Sequence, residues 1–174
     1  MTTKTRGLLF GLVAAAVAAA GLGTPTLAQE AKSLGTFNAW TAWTGTDANG
    51  AICYISSQPS SSEPSGVNRD PIHFLVIHRK GLGTKNEVQT LIGYPFNAQA
   101  NATAAIDGKT YPLVTEGSAA WLASAGDEAG FVAALKKGTQ LVVKGTSQRG
   151  TNTTDNYSLS GVTAAMGEID KACS

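Results

Sequence analysis

Cys53 and Cys173 are the only two cysteines in the 174-residue chain, and the second closes its last amphipathic segment. Residues 144–173, KGTSQRGTNTTDNYSLSGVTAAMGEIDKAC, read as strand, polar turn, strand and then helix. In that helix Val162, Met166, Ile169 and Cys173 follow the spacing of one apolar stripe. A thiol on the buried face of a terminal helix can tie the end of a fold to its beginning, and Cys53 is the available partner. Two separate buried thiols are the other reading, which a reducing compartment would favour and an oxidising one would not.

The N-terminus speaks for the oxidising case. Lys4 and Arg6 precede an unbroken apolar, alanine-rich run over residues 7–23, followed by Pro25 and small residues up to Ala28. This is the pattern of a secretory signal peptide, residues 1–28, cleaved after Ala28. The run is short and weakly apolar for a membrane anchor, and no cysteine stands at the cleavage point to carry a lipid. A single β domain over residues 29–174 is expected, in the periplasm or secreted, with no transmembrane segment after cleavage. Loss of Lys4 and Arg6 takes the formal net charge from +1 to −1, so there is no basic field for nucleic acid.

Residues 29–36 are polar and read as a loose lead-in. Trp40 and Trp43, three apart in a Thr-rich stretch, point to opposite faces of a strand. Residues 51–56 return from the turn cluster at residues 44–50 and put Cys53 on a sheet. Residues 58–68, QPSSSEPSGVN, read as a surface loop. Residues 71–78, PIHFLVIH, are too continuously apolar for a solvated face and predict a central strand. Residues 87–93 return it. Asp107-Gly108 marks a two-residue hairpin turn, and residues 118–122 read as a further short strand or the approach to a helix. That helix has Asp127 or Ser124 as cap, Phe131, Val132 and Leu135 on its inner side, and Gly138 as its stop. Residues 139–145 resume the sheet. The fold class is mainly β: an antiparallel β-sandwich or partly open barrel with two short helices, at about 128–137 and 161–172.

The residues supply little recognisable catalytic chemistry. His73 and His78 are the only imidazoles; five apart on one strand, they face opposite ways and cannot share a metal. No nucleophile elbow or phosphate loop is complete, no acidic residues take calcium-loop spacing, and no cofactor or metal is implied. The remaining candidate is a turn and its flanks carrying Ser147, Arg149, Thr151, Asp155 and Tyr157. One reading is a recognition loop with Arg149 as a bidentate clamp for a carboxylate or glycan. The plainer reading pairs Arg149 with Asp155 across the hairpin.

Several stretches resemble one known family in order along the chain. They are Trp43, Cys53-Tyr54, Arg69-Asp70-Pro71, Gly93-Tyr94-Pro95-Phe96, Ala120-Trp121-Leu122, Ser147-x-Arg149-Gly150-Thr151, Asp155-x-Tyr157-Ser158-Leu159-x-Gly161 and the closing Cys173. The pattern is similar to the invasion-associated locus B family, exported proteins of alphaproteobacteria. The resemblance implies a periplasmic or secreted, disulfide-bearing β domain; founding members are associated with a pathogen's invasion of host red cells. It carries over no catalytic residue and no cofactor. The expected function is a non-enzymatic interaction protein of the bacterial envelope, its partner an envelope or host-surface protein or a glycan. The alternatives are an exported hydrolase with a dispersed Ser/His site and a periplasmic small-ligand binder.

Overall fold

The computed structural model describes residues 31–174; the leader expected over residues 1–28, with its cleavage point, lies outside them. Alternation of inward and outward side chains generates eleven strands. They are β1 (Lys32–Phe37), β2 (Trp40–Asp47), β3 (Gly50–Ser57), β4 (Ser61–Glu63), β5 (His73–Arg79), β6 (Thr84–Leu91), β7 (Ala102–Ile106), β8 (Lys109–Glu116), β9 (Ala119–Leu122), β10 (Gln140–Thr146) and β11 (Asn152–Ser158). Two helices, α1 (Glu128–Lys137) and α2 (Val162–Ala172), complete the set, close to where the sequence places them.

All strand pairs are antiparallel and form one sheet in the order β1-β2-β3-β5-β6-β9-β8-β7-β10-β11-β4, not closed into a barrel. Of the two expected architectures, the open, curled one is found. A twisted sheet of this width cannot stay flat. One face of the strands, with Trp40, Cys53, Phe74, Val88, Leu113 and Val143, meets α1 and α2 in a single buried cluster. β5 lies between β3 and β6, the interior place its apolar run predicts. Trp40 is fully buried and its indole donates to the Ser158 carbonyl at 2.9 Å; Trp43 points the other way and stacks on Tyr54.

Two segments depart from expectation. Of the lead-in expected at residues 29–36, residues 32–36 instead belong to β1, registered on β2 with Phe37 opposite Trp40. Polar and Gly-containing composition does not exclude an edge strand, which needs only one partner and a few inward contacts, here from Leu34 and Phe37. The serine-rich loop contributes β4, paired with β11, and Asn156 receives Ser60 on its carbonyl while its amide donates to Ser61. Asp127 does stand at the N-cap of α1, but its side chain makes no capping bond.

α2 lies against β1, β2 and β3, with Val162, Ala165, Met166 and Ile169 buried. Gly161 opens it at φ 94°, where any Cβ would collide with the Phe37 carbonyl. Its far end is bonded covalently: Cys53 and Cys173 form a disulfide with a Cα separation of 6.0 Å. His78, buried on β5, secures the same helix. Its Nδ1 accepts the Asn86 amide and its Nε2 donates to Asp170 of α2 at 2.9 Å; Lys136 of α1 stands 3.7 Å from the other Asp170 oxygen.

The disulfide and the Asp107 turn each make a prediction. A Cys53→Ala/Cys173→Ala protein frees a loop of 120 residues and should lose about 4–5 kcal/mol in denaturant titration; an unchanged midpoint would contradict the staple. Asp107, at the hairpin turn, accepts from Thr139 Oγ1 and from the Thr139 and Gln140 amides, which hold its carboxyl below the usual range. Its stabilisation is therefore present above the ordinary carboxylate value and lost as pH falls through the folded-state value. Acid-side melting curves of Asp107→Asn should lack that increment of pH dependence.

Candidate functional site

A positive charge inside a β fold needs a counter-ion from wherever the chain can deliver one. Arg69, in the loop between β4 and β5, is inserted under the sheet edge with its side chain 6% exposed. Its Nη1 and Nη2 donate to the two Asp155 oxygens at 2.8 and 2.6 Å, and its Nε and Nη2 donate to the Ile92 carbonyl at 2.9 and 2.6 Å. Asp155 is completely buried on β11. The guanidinium also covers the Tyr94 ring, 5.0 Å from its centroid. One side chain thereby joins the 58–72 loop, the segment after β6 and β11.

Above this joint lies a cleft of about 480 Å³. Three segments line it: Asn68, Arg69 and Asp70; Gly93, Tyr94 and Pro95; and Gln148, Arg149 and Thr151. Backbone bonds tie the parts together: the Asp70 amide donates to the Gly93 carbonyl and the Gln148 amide to the Pro95 carbonyl. Gly93 sits at φ 78° with the Asp70 carbonyl where a side chain would begin, so only glycine permits this approach. Tyr94 shares a 2.6 Å hydrogen bond with Thr153, and burial pushes its phenol up, partly offset by that bond and by Arg69. A second hollow of about 430 Å³, lined by the 58–72 loop, adjoins the first across residues 67–70.

The turn between β10 and β11 is rigidly built. Ser147 is buried; its amide donates to the Thr151 carbonyl, its hydroxyl accepts the Thr151 amide, and its carbonyl accepts the Gly150 amide. Arg149 projects from this turn, exposed, with no hydrogen bond or ion pair among the described residues. Among those residues the other two arginines are both engaged, Arg69 as above and Arg79 with Asp47 and Glu87.

The five residues of the expected recognition loop therefore separate. Ser147, Arg149 and Thr151 line the cleft, whereas Asp155 and Tyr157 lie beneath it. Asp155 pairs with Arg69, not with Arg149, which corrects the hairpin pairing expected from proximity in sequence. Tyr157 is 1% exposed and packs edge-on against Phe74; burial and the neighbouring Asp155 charge push its phenol up. The side chains that sequence reasoning did not place in a site are Arg69, Asp70 and Tyr94. Their segments carried the family resemblance, but no local spacing joins residues 69, 94 and 149.

A family model for the Invasion associated locus B (IalB) protein matches residues 40–170. This chain belongs to that family. The matched range contains the residues that line the cleft. The fold is similar to the crystal structure of invasion associated protein B from Bartonella henselae, with TM-score 0.57 and 14% identity over 81% of this chain and 97% of that one. No curated protein matches the chain. Among the described residues of this IalB domain, no group of three or more His, Cys, Asp or Glu side chains is placed to hold a metal ion, and no helix is long and apolar enough to cross a membrane.

The joint beneath the cleft makes a stability prediction. Arg69→Met leaves Asp155 buried without its counter-ion and should cost about 3–5 kcal/mol in urea titration. Arg69→Met/Asp155→Leu should recover most of that loss, because no charge is then stranded. Equal losses in the single and double variants would show that packing, not charge, dominates the joint.

Proposed function

We propose that this IalB-family protein is exported to the periplasm or beyond and acts by binding, presenting the Arg149 cleft to an envelope or host-surface protein or glycan. The observation that carries the reading is Arg149: an unpaired guanidinium on a rigid turn at the lip of a cleft, in a domain whose other described arginines are neutralised. Such a group is ready to take a bidentate acceptor without first breaking a bond. Export is supported by the leader pattern of residues 1–28 and by a disulfide with both sulfurs on buried residues. Of the two imidazoles, His78 has both ring nitrogens bonded, to Asn86 and Asp170, which leaves only the half-buried His73 as a base for the hydrolytic alternative. A role in host invasion is supported by the family and by the name of the Bartonella protein.

The volume of the cleft lies within the range of small-ligand sites, which favours a second reading, a periplasmic small-ligand binder using the same lining. A ligand-induced rise in melting temperature would distinguish it from a protein receptor.

The test compares crosslinked capture by native protein and by Arg149→Ala, from envelope, culture medium and host-cell surface. The variant should melt with the wild type, since an exposed side chain without partners is removed, and should lose its specific partner about tenfold or more. Partner capture unchanged by Arg149→Ala would remove the cleft from the account. Export is checked separately by the mass of the mature chain, expected to begin at Gln29 in the periplasmic fraction.

A further inference from the structure

The cleft holds more unpartnered polar chemistry than Arg149 alone. Among the described residues the side chains of Asn68, Asp70, Gln148 and Thr151 also make no hydrogen bond, yet all of them line the same hollow. The set comprises one guanidinium, one carboxylate, two carboxamides and a hydroxyl, in a hollow that Tyr94 and Pro95 also line. Asn68, Asp70, Gln148 and Arg149 are exposed and so reach a ligand without breaking a protein contact, and both flanking segments are fixed to residues 93–95 by the Asp70–Gly93 and Gln148–Pro95 backbone bonds. A ligand that uses the whole set must supply one anion for Arg149, hydrogen-bond donors for Asp70, and groups that both donate and accept for Asn68 and Gln148.

The geometry points to a carboxylated pyranose, a hexuronate unit of a surface polysaccharide, as the ligand of this cleft. Its carboxylate pairs with Arg149, its vicinal hydroxyls donate to Asp70 and exchange bonds with the carboxamides, and its C–H face rests on Tyr94 and Pro95. Other ligand chemistries use the site less completely. A neutral sugar leaves Arg149 without a counter-charge. A phosphate gives Asp70 a like charge in place of a donor. A lipid chain strands the polar lining, and each stranded polar group is costly once water is displaced. The inference rests on the reading of the cleft as the binding site and adds the class of its ligand.

The experiment is an amide-resolved NMR titration of the mature protein with D-galacturonic acid, its methyl ester, D-galactose and propionate. The wild type should show saturable amide shifts confined to residues 68–70, 93–94 and 147–151 with the uronate. The methyl ester and galactose should bind about tenfold more weakly or worse, because the charge-assisted bond is gone. Arg149→Ala should weaken the uronate by about tenfold to a hundredfold. Arg149→Lys should recover only part of that loss, since an ammonium cannot reproduce the planar fork, and Asp70→Asn should weaken the uronate and the neutral sugar alike. The same spectra report whether each variant is folded. Propionate binding as tightly as the uronate would reduce the cleft to a simple anion site and overturn the inference. So would uronate binding that ignores Arg149→Ala, or none at all. If uronate fails while crosslinked capture still depends on Arg149, the sugar falls and the binding function stands; if both are independent of Arg149, both fall.

Discussion

Arg69 and Asp155 are 86 residues apart in sequence and form a bidentate pair that water scarcely reaches. Neither ion could be buried alone, because desolvation of a single charge is far more costly than a marginal fold tolerates. Their pairing therefore dictates where the 58–72 loop must lie. With the loop pinned there, Arg69 also holds the Ile92 carbonyl and the Tyr94 ring, and Gly93 comes into contact with the Asp70 backbone. The cleft is the outer surface of this joint. Its lining comes from three segments, held in place by the ion pair together with the Asp70–Gly93 and Gln148–Pro95 backbone bonds.

A comparable division of labour holds the other end of the domain. α2 is amphipathic and buries its apolar stripe on β1 to β3, but a helix of eleven residues has limited intrinsic stability. The disulfide bonds its C-terminal end to β3, and the His78–Asp170 bond fixes its rotation over β5. Both anchors use neighbouring positions of the sheet, since Cys53 and His78 are direct cross-strand partners. The helix in turn covers the inner face that an open sheet would otherwise expose.

An open sheet also has two free edges, and both are poor templates for another strand. β1 is polar, begins with Lys32 and is broken by a bulge between Ser33 and Gly35. β4 is three residues long and is followed by Pro64, which has no amide hydrogen to offer. Charges, bulges, short strands and proline are the usual means by which edges resist aggregation. Neither edge therefore invites strand addition, and the cleft lies apart from both as a surface of side chains.

Much of this fold is legible in one dimension. The apolar run of residues 71–78, the Asp107-Gly108 turn, the inward Phe131, Val132 and Leu135, and the stripe ending at Cys173 each express a local period or a local turn preference, and the structure keeps all of them. Cys53 and Cys173 could be matched because each had one available partner. Arg69, Tyr94 and Arg149 could not be gathered into a site that way, nor could β1 and β4 be told from loops. Their composition is that of exposed chain, and their place depends on a partner strand or counter-charge far away in sequence. By itself the sequence determined the mainly β class, the faces of the strands and helices, and the one pairing open to its two cysteines. The tertiary structure alone decided that Asp155 belongs to Arg69 and leaves Arg149 free. Periodicity sets which way a side chain points, whereas the meeting of distant charges is set by how the loops close and which ions burial forces together.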